Sequence, residues 1–230
     1  MSGSRALLIF AKTPKPGKVK TRLLAAVSPE VAAALHKACI ADTLRLARKM
    51  RGCDVLVFAA DGTSYFRGLA RTQGSGARLR VLPQRGAELG ARMENAFRKC
   101  FAMGYGEVVV IGTDTPWMRV DRVRRAFSGL RVNDVVIGPA EDGGYYLLGM
   151  RKFVAEIFRG IPWSTERVLQ ITLKKIVALK LRKKLLRRDF DLDRPEDLKR
   201  AAGKLKKRPG LAPALAAAIA RIHIQRKDMG

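Results

Sequence analysis

Apolar stretches of strand length recur along the chain, and most are followed by stretches whose apolar residues repeat every three to four positions. A strand buried on both faces needs a continuous apolar run, whereas a helix lying on a sheet needs a single apolar stripe. The alternation therefore restricts the chain to βαβ units around a mainly parallel, mixed sheet in a three-layer α/β/α architecture. Strands are expected at 5–11, 53–60, 78–83, 107–113 and 134–140. A long helix is expected at 29–50, with Ser28 as N-cap, Pro29 at the first position and Glu30 set against the dipole. A second is expected at 90–103, its apolar face made by Met93, Phe97 and Phe101.

After position 140 the pattern changes. Glu141-Asp142-Gly143-Gly144 breaks the chain, and 145–150 is strand-like again, which predicts a mixed edge added to the sheet. Further on, 164–179 is expected to be helical, 185–192 a short strand and 195–205 a helix. These elements form one domain over 1–208. The tail, 209–230, is alanine-rich with Leu215, Ile219 and Ile222 on one face, and reads as a helical extension packed on the domain or at a dimer contact.

With 230 residues, 47% of them hydrophobic, the chain can bury one sizeable core. Its longest apolar runs, such as 6–11 and 108–111, are too short for a bilayer core of about 30 Å, and the first residues leave no room for a signal-peptide core. A cytoplasmic location and no membrane partner are expected. Cys39, Cys53 and Cys100 are far apart and show no Cys-x-x-Cys spacing, so they read as free thiols. With only His36 and His223 present, any acid, base or metal ligand should be a carboxylate.

The 46 Lys and Arg against 20 Asp and Glu give a formal charge of +26. Such a field draws phosphorylated molecules and polyanions. The basic residues thicken at 174–188 and 199–208, where aromatics are almost absent, so the platforms that stack single-stranded bases are missing. A solvated basic surface with incidental nucleic-acid affinity is the expectation.

Ligands of open α/β sheets sit at the carboxyl ends of the strands, and position there selects the candidate residues. The first expected strand runs into Lys12-Thr13-Pro14-Lys15-Pro16-Gly17-Lys18-Val19-Lys20-Thr21-Arg22, a loop stiffened by two prolines and carrying five cations. It suits phosphate, through Lys12, Gly17, Lys20 and Arg22, although a merely solvated loop would also be basic. It is not a Walker A loop, since Lys18 is followed by Val19, and Gly74-Ser75-Gly76 lacks the third glycine of a dinucleotide fingerprint. The fourth strand ends in Gly112-Thr113-Asp114-Thr115-Pro116, which places one carboxylate beyond a buried strand, where it could hold Mg²⁺ or Mn²⁺ or simply bond its own turn. A second ligand could be Asp142, in a sequence that equally suits a tight hairpin, with Gly143 and Gly144 permitting close approach of an acceptor. It could also be Asp193 in Asp189-Phe190-Asp191-Leu192-Asp193, where strand alternation would put all three aspartates on one face. Asp193 with Glu196 also has capping-box spacing.

Together these segments, with Gln84 to Met93, Asp142-Gly143-Gly144-Tyr145-Tyr146-Leu147, Ile161-Pro162-Trp163-Ser164-Thr165 and Asp191-Leu192-Asp193-Arg194-Pro195, resemble the GT-A-like bacterial transferases called radical-SAM/selenodomain-associated transferase 1. The resemblance spans nearly the whole chain. It implies a fold similar to that of nucleotide-diphospho-sugar transferases and a basic first loop like that of nucleotidyltransferases. It also implies a nucleotide site at Lys12, Lys20 and Arg22, with metal near Asp114. Glycosyltransferases of this fold often carry Asp-x-Asp where this chain has Asp114-Thr115-Pro116. The expected activity is metal-assisted transfer from a nucleotide-sugar donor to a small-molecule acceptor. In it Asp114, Asp142 and Lys20 are catalytic, and the acceptor lies along Gly143, Gly144, Tyr145 and Trp163. A nucleotidyltransferase releasing pyrophosphate is the alternative, and a nucleic-acid-binding protein on the same scaffold is the third reading.

Overall fold

The computed structural model describes residues 4–72 and 79–227. The Gly74-Ser75-Gly76 segment, Arg78 and the last three residues of the tail lie outside them. Among the described residues seven strands form one sheet: β1 (Ser4–Ala11), β2 (Asp54–Ala59), β3 (Leu79–Pro83), β4 (Tyr105–Ile111), β5 (Val135–Pro139), β6 (Tyr145–Met150) and β7 (Lys183–Leu185). Their order is β3-β2-β1-β4-β6-β5-β7, with only β6 antiparallel to its neighbours. The helices are α1 (Pro29–Arg48), α2 (Ser64–Thr72), α3 (Leu89–Ala102), α4 (Val120–Leu130), α5 (Val168–Ala178), α6 (Pro195–Lys207) and α7 (Pro213–Lys227).

Three layers follow from the pattern of burial. On one face of the sheet Ile40 and Leu44 of α1, Phe66 of α2 and Val123 and Phe127 of α4 meet Leu7, Ile9 and Val109. On the other, Phe97 of α3 and Leu169 and Ile176 of α5 meet Leu8, Val108 and Ile137. Each of these fully buried side chains contributes roughly 1.5–3 kcal/mol relative to exposure. Neither α2 nor α4 stood out in the sequence, because both are short and α4 is heavily charged. The tail helix α7 packs on α1 through Leu215 and Ile219, beside Leu205 of α6. Asp42 of α1 fixes its start by accepting from the N–H groups of Ala214 and Leu215 at 3.2 and 2.9 Å.

Two expectations need correction. The strand after the Asp142 turn is interior: β6 lies between β4 and β5, Tyr146 and every residue after it in the strand are buried, and the edge is the short, exposed β7. Nor is 185–192 a strand, since pairing ends at Leu185 and resumes only as a bridge between Ala140 and Asp189. The interruption has a cause. The Tyr146 ring lies over Gly138, where a Cβ would come within 2.4 Å of it, and its hydroxyl donates to the Arg187 carbonyl at 2.8 Å. Pro139, the last residue of β5, has no N–H to carry the ladder further, and at the break a side chain serves the Arg187 carbonyl.

Strands β2 and β3 lie on one side of β1, and β4 and all later strands on the other. The crevice of a doubly wound sheet opens at this reversal, at the carboxyl ends of β1 and β4.

Candidate functional site

At that crevice lies a cleft of about 1510 Å³, lined by Lys12, Lys20, Arg22, Asp114, Asp142, Tyr145, Trp163, Asp191 and Asp193 among others. The loop leaving β1 folds on itself: the Lys15 N–H donates to Thr13 O, that of Lys18 to Lys15 O, and Gly17 takes the left-handed conformation the turn requires. Gly17 does not line the cleft, and its contribution is to the turn. The Lys12 ammonium closes the loop on the Lys18 carbonyl at 2.8 Å.

Lys20 is the unusual residue of the loop. Its backbone is left-handed, at φ 50°, a conformation costing a non-glycine residue about 1–2 kcal/mol. Burial of Val19 before it and Leu23 after it holds the chain there. The result is a lysine side chain only 3% exposed, whose Nζ donates to Asp114 Oδ1 at 2.5 Å and to the Leu192 carbonyl. Burial pulls the Lys20 pKa down, but the Asp114 charge and hydrogen bond outweigh it, so the ammonium is held above its ordinary value. Asp114 shows the converse: burial pushes its carboxyl up, and Lys20 brings it below the usual range. The Asp114 side chain remains 46% exposed towards the cleft. The loop of β1 and the end of β4, 94 residues apart, meet in this pair.

The segment 189–193 divides its aspartates instead of presenting them on one face. Asp189 turns away from the cleft, accepting from Trp117 Nε1 at 3.1 Å, Arg122 at 2.5 Å and Lys204 at 3.4 Å. Asp191 faces the cleft and accepts from the Thr115 hydroxyl at 2.6 Å. Burial pushes its carboxyl up, the charges of Asp114 and Asp142 add to this, and its pKa reaches about 7. Asp193 pairs with Arg22 at 2.7 Å in a largely exposed contact. The cap of α6 also differs from the expected Asp193–Glu196 box: Asp197 Oδ2 accepts from the N–H groups of Asp193 and Arg194.

The Asp142 turn is built as the hairpin reading required. Asp142 is exposed, and its Oδ1 accepts from the Gly144 N–H at 2.9 Å. Gly143, at φ 87°, approaches the chain's own backbone, since a Cβ would stand 2.0 Å from the Glu166 carbonyl oxygen, and its carbonyl receives the Leu169 N–H. Tyr145 and Trp163 meet edge to face at 6.3 Å, with the indole set against Gly90. Burial drives the Tyr145 hydroxyl far above its ordinary pKa, so the ring acts as a wall of the cleft and not as an acid.

Two cleft residues escaped the sequence reading. Asp191 was visible only as one of three alternating aspartates, and only tertiary packing separates them. His36 occupies the buried face of α1 and its Nε2 meets the Lys12 carbonyl at 3.0 Å, tying α1 to the basic loop. Burial holds its pKa below the ordinary value. No local motif marks either residue.

No compact group of three metal-ligating side chains is preformed among the described residues. The donor set nevertheless suits a hard divalent ion: Asp114, Asp142 and Asp191 supply carboxylate oxygens to one cleft, where burial first and then the charges of Asp114 and Asp142 raise the Asp191 carboxyl.

Comparison with known proteins agrees with this architecture. A crystal structure of the Desulfovibrio desulfuricans G20 protein named "putative nucleotide-diphospho-sugar transferase" is 33% identical, covers 96% of this chain and 98% of its own, and superposes with a TM-score of 0.84. The CMP:2-keto-3-deoxy-manno-octonic acid synthetase complexed with CTP shares the fold at 13% identity and TM-score 0.57, over 89% of this chain and 99% of its own. So does the 4-diphosphocytidyl-2C-methyl-D-erythritol synthase of Anaerococcus prevotii DSM 20548, at 10% identity and TM-score 0.61, over 88% of this chain and 96% of its own. No curated protein matches in sequence. The mixed sheet with its switch-point cleft is thus the fold of nucleotide-diphospho-sugar transferases. Because the family described as "Uncharacterized protein conserved in bacteria (DUF2064)" matches residues 43–165, more than half the chain and including the end of β4 and the Asp142 turn, the protein belongs to that family.

Proposed function

We propose that the cleft binds the diphosphate of a nucleotide sugar and transfers the sugar to a small-molecule acceptor. The observation that carries this reading is the buried Lys20–Asp114 pair, which fixes a cation beside a cleft-facing carboxylate at the β1/β4 switch point. Lys12, Lys20 and Arg22 neutralise phosphate charge, and Lys20 is already oriented, so little reorganisation is required as charge develops on the leaving diphosphate. Asp114 and Asp142, with Asp191 in place of Asp193, which Arg22 engages, would hold Mg²⁺ or Mn²⁺, which supplies Lewis-acid stabilisation of the departing phosphate. The acceptor would lie between the Asp142 turn and the Tyr145–Trp163 wall, and Asp142, which lines the cleft, would take its proton. The D. desulfuricans relative, by its name, supports the donor class.

A second reading, nucleotidyl transfer, is favoured by two observations. Lys12, Lys18, Lys20 and Arg22 give the cleft more cations than a diphosphate needs, and one aspartate stands where a pair is usual. The CTP-bound neighbour belongs to that class by name. Titration calorimetry of nucleoside diphosphates and triphosphates with Mn²⁺ tests the common core of both readings: Asp114→Asn should abolish the metal-dependent part of binding, and unchanged binding would refute it. The product separates the readings, a nucleoside diphosphate for the first and pyrophosphate for the second.

A further inference from the structure

The charge of +26 exceeds what a nucleotide cleft uses, and part of it gathers at the opposite end of the molecule. At the amino ends of β5 and β7 three chain segments lie side by side. Val135 pairs with Met150 on one side and with Lys183 on the other, the Arg151 N–H donates to Asp134 O, and the Asp134 N–H donates to Arg182 O. This pole therefore consists of the turn after α4, the turn after β6 and the turn between α5 and β7. Arg131, Arg151, Lys152, Lys180 and Lys183 are exposed here, and none forms a salt bridge among the described residues. Asp134, the carboxylate at the centre, is held by Arg182.

The same pole exposes Val132 at 66% and, at the end of α5, Val177 at 61%, with Leu179 at 38%. Six large apolar side chains are exposed among the described residues, all aliphatic; these two are the most exposed, and three of the six stand at this pole. A solvated basic surface explains cations at helix C-termini, but it does not explain aliphatic side chains standing among them. We infer that this pole seats the protein on an anionic membrane surface, with the aliphatic residues entering the interface and the cations meeting lipid phosphates. Nucleic acid fits less well, because the turns carry no exposed aromatic for a base to stack on. The cleft lies at the far end of the strands, roughly 20 Å away by strand rise, so it stays open to solvent when the pole is seated. The inference does not depend on which group the cleft transfers.

Vesicle co-sedimentation of the full chain tests it. Binding is expected to vesicles containing about one third phosphatidylglycerol and not to pure phosphatidylcholine, falling about tenfold or more between roughly 0.1 and 0.5 M salt. Replacing Arg131, Lys152, Lys180 and Lys183 by Gln should weaken binding about tenfold or more. Val177→Ser with Leu179→Ser should weaken it about three- to tenfold and leave the salt dependence in place. A control with Lys199, Lys206, Lys207 and Arg208 replaced by Gln removes as many cations from α6 and its C-cap and should have little effect. Four results would overturn the proposal: no binding to anionic vesicles, equal loss in the α6 control, no effect of the double serine variant, or tighter binding of an oligonucleotide through the same four cations.

Discussion

Asp189 and Asp191 stand two residues apart and are opposite electrostatic objects. Asp189 is buried, but Lys204, Trp117 Nε1–H, Arg122 and its neighbour's N–H more than offset the burial and hold its carboxyl below the usual range. Asp191 is partly buried too, but among the described residues only the Thr115 hydroxyl donates to it; burial, with the charges of Asp114 and Asp142 added, raises its pKa to about 7. A carboxylate matched by the protein's own donors belongs to the frame. One left short of positive charge marks where an external cation can bind. Asp193 is a third case, exposed and paired with Arg22 at the rim.

The strongest test of this contrast is Asp189→Ala. Removing the carboxylate leaves Arg122 and Lys204 facing each other and the Trp117 N–H without its acceptor. The expected loss is about 3–5 kcal/mol, read as a lowered urea midpoint at pH 7. A loss below about 1 kcal/mol would mean that the buried hub is no frame at all.

Asp191→Asn should act in the opposite direction. It removes a like charge from the cleft and keeps an oxygen for the Thr115 hydroxyl. Water reaches Asp191 from the cleft and moderates the repulsion, so the expected gain is about 1–3 kcal/mol at pH 8 without metal. At pH 4, where Asp191 is already protonated, no gain is expected. Mn²⁺-dependent stabilisation, measured by thermal unfolding, should shrink in the same variant; full retention would remove Asp191 from the proposed metal set.

The wild-type pH profile sharpens the comparison further. Asp191 has a folded pKa of about 7 against an ordinary 3.8, so between these values the folded state keeps a proton that the unfolded state has released. Its contribution is full below the ordinary value and is lost as pH rises through about 7, a slope of at most about 1.4 kcal/mol per pH unit. Asp189, with its lowered pKa, contributes above the ordinary value and loses that contribution as pH falls through the folded value. Subtracting the Asp191→Asn profile from that of wild type isolates the first slope, and a flat difference between pH 4 and 7 would contradict the crowding of Asp191.

These three aspartates also show how far the sequence could be read. The βαβ rhythm, the Ser28 cap and the approach of the basic loop to Asp114 follow from local rules, because continuous apolar strands dictate a parallel sheet and such sheets open at their carboxyl ends. The interior position of β6 was hidden, since an interior antiparallel strand and an edge strand carry the same apolar run. Asp189, Asp191 and Asp193 looked equivalent because alternation assumes a strand, and pairing breaks after Leu185, where Pro139 offers no N–H and the Tyr146 hydroxyl, 41 residues away in sequence, donates to the Arg187 carbonyl. Asp197, four residues beyond Asp193 and outside the expected capping box, supplies the α6 cap. Long-range side-chain contacts of this kind leave no local pattern.

The smallest expected effect concerns Arg22 and Asp193. Their contact is short, at 2.7 Å, but the two side chains are 54% and 37% exposed. Exposed pairs exchange one hydration for another and are screened by salt, so Arg22→Gln should change stability by less than about 0.5 kcal/mol. If Arg22 serves phosphate, the same variant should weaken nucleotide binding about tenfold, with the loss fading as salt rises. A large stability loss with unchanged nucleotide affinity would move Arg22 and Asp193 into the frame beside Asp189, and the rim of the cleft would then begin at Lys20.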